Sequence, residues 1–245
     1  MNNILNILKR EKENKIKGGL YHKIQVLLTY NSNHIEGSKL TGEQTRQIFE
    51  TNTILADTNN IDVDDILETV NHFRCIDYMI DNAQAELTSD FIKQLHRILK
   101  TNTSQSGLEW FKVGDWKILP NEVGGEETVD PEQTENEINK LISHYNSLKE
   151  KSFEDILDFH VRFEKIHPFQ DGNGRVGRLV MFKQCLENNT VPFIIDEEHK
   201  LYYYRGLQQW DNIKGYLTDT CLSCQDVFKT YLDYFKIDYT DAKSE

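Results

Sequence analysis

Apolar residues recur at helical spacing along most of this chain. In residues 3–36 the stripe consists of Ile4, Leu5, Ile7 and Leu8, then Ile24, Val26, Leu27, Leu28 and Tyr30, with Gly18-Gly19 between the two sets. That pattern predicts helix broken at the glycine pair. Thr41, with Gln44 three residues on, reads as a capping box opening a helix through about Leu55. A longer helix is expected over 62–82, where Ile66, Val70, Phe73, Ile76, Tyr78, Met79 and Ile80 supply an apolar face. Thr88 or Ser89 caps another over 90–100. Helical pattern resumes at Asp130-Pro131, since proline suits the first helical position, and continues to Lys149. Ser152 and Asp155 open the next helix, which ends near Pro168 because residues before proline avoid helical angles. Further helices are predicted over 175–188, 197–212 and 218–236, ahead of a polar tail to Glu245. Residues 113–125 are different, with turn formers around two short β-prone pieces, the one plausible hairpin. The expected class is all-α: about nine helices with one β-hairpin.

Composition narrows the picture without naming a function. A chain of 245 residues buries a substantial core without disulfides or structural metal. No apolar run approaches the roughly 18–20 residues of a membrane span, and the first ten residues lack the pattern of a secretory signal. Cysteines at 75, 185, 221 and 224 are too sparse for a disulfide framework, so a cytoplasmic, reduced protein is expected. The net charge of −12 argues against a general nucleic-acid binder. Residues 1–23 carry six Lys/Arg against two Asp/Glu, which reads as a solvated helical face.

One stretch concentrates chemistry: His167-Pro168-Phe169-Gln170-Asp171-Gly172-Asn173-Gly174-Arg175-Val176-Gly177-Arg178. Gly172, Gly174 and a helix beginning at Arg175 present backbone N–H groups to a common point, an arrangement that binds phosphate oxygens. Asn173 adds an amide donor to the same anion. Arg175 and Arg178 are three residues apart, so both guanidiniums can reach back to the turn as a clamp. Cations sit poorly at a helix N-terminus unless an anion faces them. Asp171 is a hard oxygen ligand suited to Mg²⁺ shared with phosphates, and His167 is the group able to take a proton near neutral pH. Phe169 is expected to turn inward. The order of a P-loop is missing, and helix rather than strand precedes the glycines. The parts describe transfer of a phosphoryl or nucleotidyl group to an acceptor deprotonated by His167.

The stretch resembles, at every fixed position, the signature His-x-Phe-x-Asp/Glu-Gly-Asn-Gly-Arg-x-x-Arg of Fic-domain proteins. The resemblance implies the Fic fold and AMP transfer from ATP to a Ser, Thr or Tyr hydroxyl of a protein. It implies His167 as general base, Asp171 as Mg²⁺ ligand, Gly172, Asn173, Gly174 and Arg175 around the α- and β-phosphates, and Arg178 on the γ-phosphate. Kinase-like relatives carry lysine at the place of Arg175. Residues 117–124 resemble the family's flap, which aligns a target segment by strand addition, and Lys117 stands where members often carry a basic residue near the nucleotide. Tyr203, Tyr204 and Leu207 resemble the stretch lining the adenine pocket, with Asp211 where asparagine often follows.

Ser32 and Glu36 lie four residues apart on one helix face, just ahead of Gly37, a fitting C-cap. A glutamate in the last turn opposes the macrodipole and needs another reason to be there. The segment resembles the family's inhibitory pattern Ser/Thr-x-x-x-Glu-Gly/Asn, and its place before the core resembles class II members. The resemblance implies that Glu36 pairs with Arg178 and occupies the guanidinium needed by ATP. The chain then divides into N-terminal helices over 1–60, a catalytic core over 61–215 and a C-terminal helix and tail over 216–245. Its expected partners are a target protein along the flap, itself through self-labelling, and a second copy through the N-terminal helices, with no membrane. Removal of AMP from modified targets, a bifunctional enzyme and a non-catalytic nucleotide sensor remain as alternatives. Sensing needs neither the base nor the metal ligand. His160 is expected to pack near the catalytic loop, and Cys221 and Cys224 to be half-buried thiols rather than ligands.

Overall fold

The computed structural model describes residues 3–54, 60–240 and 242. Within them lie ten α-helices: α1 (Asn3–Glu13), α2 (Leu20–Ile35), α3 (Gly42–Thr51), α4 (Val63–Asp81), α5 (Ser89–Lys100), α6 (Pro131–Ser147), α7 (Phe153–Ile166), α8 (Asn173–Glu187), α9 (Lys200–Gln209) and α10 (Gly215–Tyr234). A two-stranded antiparallel hairpin, β1 (Glu122–Val123) with β2 (Glu126–Glu127), lies between α5 and α6. The all-α reading holds. The boundaries follow local chemistry: Thr41 with Gln44 and Ser152 with Asp155 both form reciprocal capping boxes, and Thr88 caps α5 through the Phe91 amide. Gly18 takes positive φ just ahead of α2 and Gly37 just after it. Helix α3 stops at Thr51, with Asn52 in the left-handed conformation, short of the expected Leu55, which lies outside the described residues, as does the tail end at Glu245.

The hairpin sits later than its β-prone sequence suggests. The piece before Pro120 makes no ladder. Instead the Lys117 amide donates to the Pro168 carbonyl at 2.8 Å, and Leu119 exchanges hydrogen bonds with the Gln170 side chain. The turn falls at Gly124-Gly125, both at positive φ, so the ladder forms around the glycines.

Helix α8 is the hub. Every residue from Asn173 to Leu186 on it is buried, polar ones included, and it packs against α7, α4, α5 and α2. Val176, Leu179, Val180, Phe182 and Leu186 are each at most 2% exposed, and burial of side chains like these is worth about 1.5–3 kcal/mol apiece. The pair α9 and α10 covers α7, and α1 and α2 cover α4. Among the described residues no helix is long and apolar enough to cross a membrane.

The seam between α2 and α4 is polar along one line. Gln25, Thr29 and Asn33 follow at four-residue spacing and meet Phe73 O and Asp77, His72, and Thr69 respectively. His72 is fully buried, its Nδ1 lies 3.0 Å from Thr29 Oγ1, and its Nε2 has no partner. Burial, reinforced by the charges of Arg175 and Arg178, pushes its imidazole down to about 3. The folded state therefore holds His72 neutral while the unfolded chain protonates it below about 6.5, so its contribution is complete above that pH and lost as pH falls toward 3. Urea unfolding of His72→Gln is expected to lose stability less steeply than wild type between pH 6 and 4.5, by about 1.4 kcal/mol per pH unit. Parallel slopes would contradict a neutral buried His72.

Candidate active site

Helix α7 ends at His167, whose φ of 51° and ψ of 62° turn the chain out of the helix just ahead of Pro168. The loop that follows is fastened from inside. Phe169 is fully buried and stacks on His96 of α5, with ring centroids 4.0 Å apart and planes 8° apart. His96 in turn accepts from the Gly114 amide at 2.9 Å, and its Nε2 lies 3.2 Å from the Asp171 carbonyl. Asn173 donates Nδ2 to Phe169 O and accepts from Phe169 N through Oδ1, both at 2.8 Å. Its amide is thus spent inside the loop rather than turned to an anion. That revises the expectation for Asn173, whose backbone N–H remains among the unpaired donors of the first helical turn.

Gly172 takes φ 84° and starts α8 two residues earlier than expected. The N–H groups of Asn173, Gly174 and Arg175 consequently form the helix N-terminus. Gly174 is helical, and its lack of a side chain matters for approach: a Cβ there would overlap the Glu36 carboxylate and come within 2.9 Å of Arg178 Nη1. The end of α2 is therefore pressed directly onto the start of α8.

Arg178 is 4% exposed and bound by the end of α2. Its Nε donates to Ser32 Oγ at 3.0 Å, and its Nη2 donates to Ser32 O at 2.9 Å and to Glu36 Oε1 at 2.7 Å. Burial pushes the Glu36 carboxyl up, but Arg178, with Arg175 behind it, pulls it below the ordinary glutamate range, so it stays ionised. Arg175 behaves differently from a free clamp: its Nη1 is held by Glu68 of α4, and Nη2 is 3.6 Å from Asp171 Oδ2. Asp171 accepts from Lys100 Nζ of α5 at 2.6 Å and from the Gly172 amide at 2.6 Å. Burial raises this carboxyl, but Arg175 and Lys100 outweigh it and hold it at about 2. Glu68 and Lys100, themselves ion-paired, carried no signal in the sequence.

His167 Nδ1 lies 3.3 Å from the Glu164 carbonyl, and burial lowers its pKa, so the ring is a neutral base near pH 7. Lys117 is buried rather than aimed at a nucleotide: its Nζ reaches Asn121 Oδ1, Thr128 Oγ1 and Ile166 O at 2.8, 2.6 and 3.1 Å, locking the base of the flap to the end of α7. Burial pushes it down to about 8. Tyr203 is 1% exposed, with its hydroxyl 2.7 Å from His160 Nε2, so it belongs to the core beneath Arg178 and not to a pocket wall. His160 packs there as expected, beside Gly177. Tyr204 is 42% exposed and reaches Ile35 O at 3.4 Å, at the mouth where α2 ends. Asp211 pairs with Lys165 on the surface. Cys221 and Cys224 are fully buried free thiols, not half-buried ones.

The closeness of Gly174 to Glu36 gives a direct test. Gly174→Ala is expected to lower the melting temperature of wild type by several degrees. In a Glu36→Gly background the same change should be neutral or stabilising, because alanine favours helix over glycine by about 1 kcal/mol. Equal losses in both backgrounds would show that the two residues do not meet.

Residues 86–185 match the Fic/DOC family. The protein adenylyltransferase Fic of Aedes aegypti is 29% identical over 183 residues, which are 73% of this chain and 36% of the relative. That of Nematostella vectensis is 26% identical over 184 residues, 74% of this chain and 42% of the relative. The chain thus spans less than half the length of these curated relatives. A Fic domain containing signalling protein from Bacteroides thetaiotaomicron has a TM-score of 0.74 at 25% identity, covering 98% of this chain and 99% of that one. Fic-1 of Caenorhabditis elegans shares the fold, with a TM-score of 0.72 at 17% identity over 96% of this chain and 72% of that one. Together with the complete signature at the start of α8, these matches assign residues 86–185 to the Fic/DOC family and give the chain the fold of Fic-domain structures.

Proposed function

We propose that this protein is a protein adenylyltransferase held inactive by its own helix α2. In this reading ATP places its phosphates on the N–H groups at the start of α8, with Arg175 beside them and Arg178 on the terminal phosphate. Asp171 would hold a Mg²⁺ ion. Its carboxylate is ionised and 40% exposed, and an ion that keeps most of its ligands as water and phosphate needs little more from the protein. Such an ion supplies neutralisation of charge on the phosphates. His167 takes the proton of a hydroxyl from a target segment lying along the flap, residues 117–124, as that oxygen bonds the α-phosphorus. The bond from the α-phosphorus to the bridging oxygen breaks and pyrophosphate leaves.

The reading rests chiefly on the three hydrogen bonds that tie Arg178 to Ser32 and Glu36. Glu36 is an anion where the phosphate would be, so the resting helix mimics part of the ligand it excludes. A hydrogen bond to a charged group is worth about 1.5–3 kcal/mol, so its loss corresponds to roughly 10- to 150-fold. Glu36→Gly is therefore expected to raise incorporation of AMP from ATP and Mg²⁺ into the protein itself by about that factor. Intact mass reads the outcome, with a gain of one AMP supporting transfer. A gain of phosphate, or equal incorporation in wild type and variant, would contradict it.

His167 supplies a second test. His167→Ala in the Glu36→Gly background should abolish transfer while nucleotide binding by calorimetry stays within about twofold, since a base adds rate and not affinity. Because burial lowers the His167 pKa, the neutral form persists through and somewhat below the ordinary value of about 6.5. The rate in Glu36→Gly should be level from pH 7 to 8 and fall only on the acid side of that value. An acid limb centred above pH 7, or transfer surviving without His167, would remove it from this role.

A further inference from the structure

Asp171 is not simply waiting for a metal. Its Oδ2 already faces the ammonium of Lys100 at 2.6 Å and the guanidinium of Arg175 at 3.6 Å, and its Oδ1 takes the Gly172 amide. The Lys100 side chain is 2% exposed and its ammonium lies 5.5 Å from the Phe111 ring centroid, so it has no route into solvent without breaking the packing of α5. Glu68 stands on the far side and takes Lys100 on Oε1 and Arg175 on Oε2. Among the described residues no group of three His, Cys, Asp or Glu converges on a metal position, which leaves Asp171 as a single carboxylate between two buried cations.

We propose that Lys100 and Glu68 make Asp171 reject a free divalent cation and accept one only when it arrives on the nucleotide's phosphates. This rests on the nucleotide reading above. A bare divalent ion at Asp171 would face the charges of Lys100 and Arg175 with one carboxylate within reach, Glu68 lying behind the two cations, and would shed water for a single protein ligand. A triphosphate brings several negative charges and further oxygen ligands, which reverse that balance. Lys100 thus acts as a counterweight, and Glu68 sets how strongly it presses by sharing its charge. Neither needs to touch the reacting atoms; both are positioning residues on helices outside the signature.

Opposite signs distinguish this role from mere structural support. The probe is Mn²⁺ alone, followed by the spin resonance of the free ion, against nucleotide-free protein. Wild type should take up little Mn²⁺ at submillimolar concentration, and Lys100→Met should bind it at least roughly tenfold more tightly. Lys100→Gln provides a second test of the same loss of charge, and thermal unfolding establishes that each variant is folded. In a Glu36→Gly background, binding of a non-hydrolysable ATP analogue by calorimetry should need less Mn²⁺ with Lys100→Met and more with Glu68→Gln. Weaker or unchanged Mn²⁺ uptake in both Lys100 variants, or shifts in the same direction on replacing Lys100 and Glu68, would overturn the proposal. If no form binds the analogue, the nucleotide reading fails, while the Mn²⁺ uptake of the bare protein still decides the role of Lys100.

Discussion

A buried guanidinium must meet an anion, and Arg178 is buried on the most enclosed helix of the molecule. Much of the arrangement follows from that requirement. The charge sits in the first turns of α8, where the helix macrodipole makes a cation still less welcome. The last turn of α2 answers it with a carboxylate, a hydroxyl and a carbonyl, and Gly174 lets the carboxylate come close. Conversely, the carboxylate that opposes the dipole of α2 is welcome at the N-terminus of α8. Two helix ends, each unfavourable to its own charge, satisfy one another. A phosphate can make the same match, and that is why a contact of this kind is suited to regulation.

The same logic governs Arg175. Its anions come from α4 and from the loop, through Glu68 and Asp171, and Lys100 closes the set. The two cations and two carboxylates form a closed group in which each carboxylate meets both cations. Removing one member leaves a buried charge uncompensated, which costs more than the pair contributes. The site therefore has two charge clusters side by side. One is internally balanced around Arg175; the other, around Arg178, is completed by a helix that precedes the family's domain in sequence.

What the sequence made legible was local or tightly spaced. Capping boxes at Thr41 and Ser152 are short-range hydrogen-bond patterns, and the glycines, the proline and the two arginines of the central stretch lie within twelve residues. Ser32 and Glu36 showed themselves by sharing a face and by a charge placed against its own helix dipole. Glu68 and Lys100 did not, because each looks like an ordinary surface charge on an amphipathic helix until α8 arrives beside it. Lys117 and Tyr203 were read as pocket residues from their resemblance to family positions, and the packed structure shows that both polar tips are used inside. Asn173 turned inward for a similar reason: its amide matches the backbone of Phe169 in both directions. The hairpin moved to Gly124-Gly125 because two consecutive positive φ angles there favour a tight turn over any β propensity upstream.

Glu36 and Arg178 hold each other in the folded protein. A double-mutant cycle on unfolding free energy, using Glu36→Ala, Arg178→Ala and the pair, isolates that contact from the rest of the α2 interface. A favourable coupling of about 1.5–3 kcal/mol is expected. Additive losses, with coupling below about 0.5 kcal/mol, would contradict it.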